Sequence, residues 1–202
     1  MTIETLPQDP TSYDLIEQWV DRTFVAGNGS VQTEGRTGNH WILSAVFAGR
    51  TPDQLRELRG FLALVRGQRN RVKFLIPGYT IAGGMSAHLA NTVQLVGAHT
   101  AGATSISIDG LQASLTPAFK AGDYLTINNQ LVEVSADANS DGGGAATVSI
   151  WPELHQAYAD NTSVEYVAPF GVFLQQAPAS RNRPEDLTMA RIQITLMQDV
   201  LA

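Results

Sequence analysis

The sequence predicts an α+β fold in which an N-terminal sheet with one packed helix is discontinuous and carries an inserted all-β barrel or sandwich. Three observations predict it. A capped amphipathic helix stands between two apolar strands in the first half of the chain. Short β runs at close spacing follow from about residue 92, and a long alternating segment near residue 195 returns to the style of the first part.

The elements justify themselves in order. Residues 1–39 are polar and rich in turn formers. Tyr13 to Phe24 fits either a helix, with Leu15 and Trp19 on one face, or an extended arm ending in a strand at Thr23–Ala26. Four glycines between Gly27 and Gly38 make that stretch a loop or a hairpin. His40 to Ala48 (HWILSAVFA) has the β-branched and aromatic content of a strand. Thr51-Pro52-Asp53-Gln54 is then a helix start, with a Thr cap, Pro at the first helical position and Gln at the third, which forms a capping box. Leu55, Leu58, Phe61, Leu62 and Val65 follow as one apolar stripe, stopped by Gly67. Arg71 to Ile76 (RVKFLI) is a strand ended by Pro77-Gly78.

Residues 80–92 are small and polar without a period. Beyond them the β runs are 92–96, 104–108, 123–127, 131–136, 146–151 and 163–167, most of them separated by Gly or Asn turns. Phe170 to Gln175 is a strand, 177–187 a polar loop, and Ala190 to Val200 a long strand with Ile192, Ile194 and Leu196 on one face. The economical organisation is one domain from 1–79 plus 169–202, with 92–168 inserted where Pro77-Gly78 and Pro169 bracket a turn.

Composition narrows the function. Hydrophobic residues are 44% of the chain and charged ones only 16%, so much of the surface can be covered by partner subunits. A net charge of −6 argues against binding a phosphate backbone, although Arg56, Arg59, Arg66, Arg69, Arg71 and Lys73 fall close together. That basic run is expected to be a solvated helix face or a subunit contact. Cysteine is absent, which excludes disulfides and thiolate chemistry. No run reaches the roughly 18 apolar residues of a membrane span. The acidic N-terminus lacks the pattern of a signal peptide, so the expectation is synthesis in a host cytoplasm with no membrane insertion.

The search for chemistry returns little. His40, His88, His99 and His155 are scattered without metal-ligand spacing. Asp137-Ala138-Asn139-Ser140-Asp141-Gly142 matches the first half of a calcium loop, but Val148 stands where a bidentate Glu is needed, so a plain hairpin loop is expected. Asp123 reads as a turn residue. No nucleophile elbow and no phosphate loop occurs, so neither an enzyme nor a cofactor is expected. Trp19, Trp41 and Trp151 can anchor interfaces, with core packing the first expectation for Trp41 and Trp151.

Residues 40–78 (HWILSAVFAGRTPDQLRELRGFLALVRGQRNRVKFLIPG) and the closing 190–201 (ARIQITLMQDVL) resemble the distal tail protein family of long-tailed phages, the group that includes minor tail protein M of phage lambda. The likeness lies in the strand, the helix whose stripe ends near a Gly, the strand Phe74-Leu75-Ile76-Pro77, and a final strand with an acidic residue, Asp199, close to the end. The middle segment, with Lys120 to Leu125, Val132 to Ala136 and Gly144 to Pro152, is similar to a β module recurring in phage tail and capsid-associated proteins.

The resemblance implies a structural virion protein of the tail tip or baseplate. Six copies would form a ring between the tail tube protein and the hub and fibre proteins, with the insert pointing outward toward fibres or host-surface carbohydrate. Ring contacts are then expected in the loop 27–39 and the strand 40–47, with Asn28, Val31, Thr33, His40 and Ile42 as candidates and Trp151 as an anchor. The alternatives are another tail or head–tail joining ring, or a carbohydrate-binding module built on Trp151, Tyr124, Tyr158 and Tyr166.

Overall fold

The computed structural model describes residues 2–87, 92–177, 180–181 and 191–199. In chain order these form β1 (Ile3–Thr5), β2 (Ser12–Gln18), β3 (Arg22–Val25), β4 (Val31–Glu34), β5 (His40–Phe47), α1 (Pro52–Val65), β6 (Arg71–Leu75) and a 3-10 turn at Gly84–Ala87. There follow β7 (Gln94–Leu95), β8 (Ser105–Asp109), β9 (Tyr124–Ile127), β10 (Gln130–Val134), β11 (Ala146–Trp151) and β12 (Val164–Glu165). The last strands are β13 (Phe170–Gln175), β14 (Ser180–Arg181) and β15 (Ile192–Gln198). The protein is therefore mostly β, with one α-helix among the described residues. The α+β expectation describes the pairing of that helix with a sheet but not the balance of the fold.

The larger sheet runs β1-β6-β13-β15-β5-β2, with β14 paired to β15. Only the β1–β6 pair is parallel among these. Strict alternation sorts its faces. Leu43, Ala45 and Phe47 of β5 point inward with Val72 and Phe74 of β6 and with Ile192, Ile194 and Leu196 of β15. Leu55, Leu58, Phe61, Leu62 and Val65 of α1 close this core. Full burial of each such side chain contributes about 1.5–3 kcal/mol.

The helix begins as its cap requires. Thr51 Oγ1 accepts from Gln54 N at 3.3 Å and Gln54 Oε1 accepts from Thr51 N at 3.0 Å. The left-handed turn that ends it starts at Arg66 (φ 51°), one residue before the Gly67 the sequence suggested.

Of the two options for Tyr13 to Phe24, the extended one is observed. β2 pairs with β5 along its whole length, which puts Tyr13 and Leu15 on the core side. The spacing of Leu15 and Trp19 is incidental. β1 was not expected, because three residues of mixed polarity carry no periodic signal. Ala190, Val200 and most of the 177–187 loop lie outside the described residues.

The second sheet runs β12-β9-β10-β11-β8-β7. It nearly closes into a barrel: Gln94 bridges Ser163, Leu95 N donates to Thr162 O at 2.9 Å, and Val164 N donates to Val93 O at 2.9 Å. Ile106, Ile108, Leu125, Val132, Val148 and Phe119 fill its interior. Ile81 and Met85 join them, so the aperiodic stretch before residue 92 supplies barrel core.

Asp123 fixes that stretch. Its carboxylate accepts from Ala82 N (2.7 Å), Gly83 N (3.2 Å) and Lys120 N (2.8 Å), so it holds two segments together and is more than the turn residue expected. At Gly83 a Cβ would lie 2.1 Å from Ala118 O, so only glycine fits this approach.

The two sheets are joined without a gap. The chain leaves the larger sheet after Leu75 and re-enters beside it at Phe170, with Ile76 N donating to Pro169 O at 3.2 Å. Leu131 of β10 packs into the helix-side core while its neighbour Val132 packs into the barrel. Thr126 Oγ1 exchanges hydrogen bonds of 2.6 Å with the backbone N–H and C=O of Phe170. Gln198 Nε2 donates to Leu131 O at 2.9 Å.

Candidate assembly interface

The residues singled out as ring contacts fall into three places. Asn28, Val31 and Thr33 lie on the hairpin β3–β4, which forms a two-stranded sheet of its own. Thr23, Val25, Val31 and Thr33 share one of its faces, and Arg22, Phe24, Gln32 and Glu34 the other. Phe24, Val25 and Val31 are 52%, 70% and 63% exposed. Asn28 caps the turn, its Oδ1 accepting from Ser30 N at 3.1 Å. A lone two-stranded ribbon is marginal in water, and this one carries its apolar residues outward.

Ile42 is placed elsewhere. It lies on the face of the larger sheet opposite the helix, in register with Ile16 of β2 and Met197 of β15, and Met197 pairs in turn with Leu174 of β13. These four form an apolar row across neighbouring strands, with Ile16 half exposed and the others partly so.

His40 and Trp151 are taken up where the two sheets meet. Here the base of the hairpin is pinned by one carboxylate from the barrel side. Glu153 Oε1 accepts from Gly38 N (2.6 Å) and Asn39 N (3.2 Å), and Oε2 accepts from Asn39 Nδ2 (3.2 Å). Asn39 Oδ1 accepts from Val20 N at 2.9 Å, so both ends of the hairpin are tied to Glu153. His155 Nε2 lies 2.9 Å from Asn39 O and so carries the donated proton. His40 Nδ1 likewise donates to Gly38 O at 2.8 Å. Gln130 Nε2 donates to Glu153 O, and its Oε1 accepts from His155 N and the Tyr158 hydroxyl. Burial pushes the His155 imidazole below its ordinary value, against the hydrogen bond to Asn39 and the charge of Glu153.

Beside this network the tryptophans form a stack. Trp41 and Trp151 meet edge to face at 4.5 Å between centroids, Trp19 covers Trp151 at 5.2 Å, and Tyr124 meets Trp41 at 6.0 Å. Trp41 is buried, Trp151 partly so, and Trp19 is half exposed. The Trp41 and Trp151 indole N–H groups are buried without a hydrogen-bond partner among the described residues.

Trp19 Nε1 donates to Glu17 Oε2 at 3.2 Å. Burial, and then the charge of Glu17, raise the Glu133 carboxyl, while a hydrogen bond with Tyr124 opposes the rise. The Tyr124 hydroxyl is pushed up to about 12, by burial first and the Glu133 charge next. Trp19, Glu17 and Glu133 were not singled out as a group. Their positions in sequence give no hint that β2 and β10 bring them together.

The remaining candidates have structural roles. His99 Nε2 accepts from Ser107 N at 3.3 Å, and His88 lies outside the described residues. Asp137 accepts from Ala121 N in the turn before β9, and Asp141 accepts from Gly143 N and Ala145 N of its own loop. Among the described residues no cluster of three or more His, Asp or Glu side chains is placed to hold a metal. No helix among them is long and apolar enough to cross a membrane. Of the aromatic residues considered for a sugar platform, Tyr158 and Tyr166 are buried in the barrel core and Tyr124 and Trp151 pack against the helix-side core. Arg56 pairs with Asp53, Arg71 with Asp199, and Lys73 Nζ stands 3.7 Å over the Phe170 ring. No protein-family model matches the chain, and no curated protein matches its sequence.

Proposed function

We propose that this chain is a non-catalytic structural protein that assembles into a ring, as a subunit of the tail tip or baseplate of a long-tailed phage. In this reading residues 1–79 and 169–202 are the ring-forming domain and 92–168 an inserted β domain. The observation that carries it is the hairpin β3–β4, a ribbon with Phe24, Val25 and Val31 in water and no core of its own. Such a ribbon is stabilised when a neighbouring subunit covers it. The apolar row through Ile42 offers a second surface of the same kind on another side.

The ring would have six copies, built in the host cytoplasm and carried in the virion between the tail tube protein and the hub and fibre proteins. It needs no cofactor. The assignment to a tail tip rests on the likeness of residues 40–78 and 190–201 to the distal tail proteins, and a different tail or head–tail joining ring has the same physical requirements. A sugar-binding role for the insert has less behind it, since Tyr158 and Tyr166 are buried in the barrel and Tyr124 and Trp151 pack against the helix-side core.

Size-exclusion chromatography with light scattering tests the reading. The full chain is expected to form a closed oligomer that Val25→Lys with Val31→Lys abolishes without loss of secondary structure. A strict monomer at high concentration, also in the presence of tail tube protein, overturns it.

A further inference from the structure

We infer that the seam formed by Trp19, Trp151, Glu17 and Glu133 is a socket for an arginine side chain from a second copy of this chain, supplied by the outer stripe of α1. The inference rests on the ring-forming reading and names one of its contacts. Trp19 presents a half-exposed indole backed by Trp151, and Glu17 is held at its edge by the indole N–H. Glu133 lies opposite Trp151 in the β10–β11 register, and Glu17 is one cause of its raised pKa. Among the described residues no Lys or Arg lies within ion-pair distance of either carboxylate; the pairs are Arg36–Glu34, Arg56–Asp53 and Arg71–Asp199. An aromatic face beside two carboxylates that have no ion pair among the described residues fits a planar cation that stacks and donates in a fork, which is arginine rather than lysine.

The same chain carries the matching group. Arg59 lies on the outer stripe of α1 and Arg66 is the left-handed cap residue just past its end; both are exposed and neither has a carboxylate partner among the described residues. Arg56, on the same stripe, is already paired with Asp53. Socket and stripe are different surfaces, so their contact is heterologous, the kind that closes into a ring when the rotation permits.

Charge exchange tests the pairing in the full-length protein. Glu17→Arg reverses the socket, and Arg59→Glu with Arg66→Glu reverses the stripe. All three residues are exposed, and circular dichroism checks that each variant is folded. Each variant alone is expected to need a concentration higher by about tenfold or more to assemble. An equimolar mixture should recover assembly, because each reversed surface then meets its complement. Assembly of both variants at the wild-type concentration overturns the inference and leaves the ring reading standing. Loss in each without recovery on mixing overturns the pairing of these two surfaces. A wild type that is monomeric throughout overturns both readings.

Discussion

Replacing Glu153 by Ala is expected to unfasten the hairpin from the barrel. The wild-type carboxylate is 6% exposed and accepts three hydrogen bonds, from Gly38 N, Asn39 N and Asn39 Nδ2. Hydrogen bonds to a charged group contribute about 1.5–3 kcal/mol each, and a stranded buried donor costs about 1–3 kcal/mol. Against this, the variant no longer has to bury a charge, which returns part of the loss. The net cost is about 2–4 kcal/mol, or a fall of roughly 5–15 °C in Tm for a chain of this size. Glu153→Gln keeps one acceptor oxygen for the two backbone amides and should lose about half as much. Urea unfolding measures the cost, and hydrogen exchange locates it: residues 20–40 should lose protection before β8 to β11. An Ala variant within about 0.5 kcal/mol of wild type would refute the reasoning. So would loss of protection spread evenly over the chain.

Two further outcomes follow from the geometry. Gly83→Ala places a Cβ 2.1 Å from Ala118 O, so Ile81 and Met85 cannot keep their places in the barrel; a loss of about 2 kcal/mol or more is expected in thermal melts. His155 has a folded-state pKa depressed by burial, so the stability it contributes is present above about pH 6.5 and is lost as pH falls through the folded value. His155→Gln, which can still donate to Asn39 O, should flatten that acid limb; an unchanged slope of stability against pH would remove His155 as its source.

Legibility in the sequence followed the range of the interactions. The helix from Pro52 to Val65 could be read because its cap, Pro and stripe all lie within a few residues of one another. β5, β13 and β15 could be read because burial on one or both faces leaves a local pattern. β1 could not, since its partner is about seventy residues away and its own pattern is neutral. Glu153 was invisible as a fastener because it binds residues 114 and 115 positions earlier, and an acidic residue after a strand looks like any surface charge. The same holds for Asp123, whose turn context concealed its hold on Ala82 and Gly83. The placing of Asn28, Val31 and Thr33 together on one hairpin was legible from the glycine-rich stretch around them. His40 and Trp151 were named by residue type alone, and their place where the two sheets meet comes from pairings distant in sequence.

Strand β10 sends Leu131 into one core and Val132 into the other, and Gln198 grips its backbone from the larger sheet. In mechanical terms this is a lap joint rather than a hinge. A pull on the barrel is met in shear along a shared strand, and the chain's own entry and exit run side by side at Leu75 and Phe170, so neither takes the load alone.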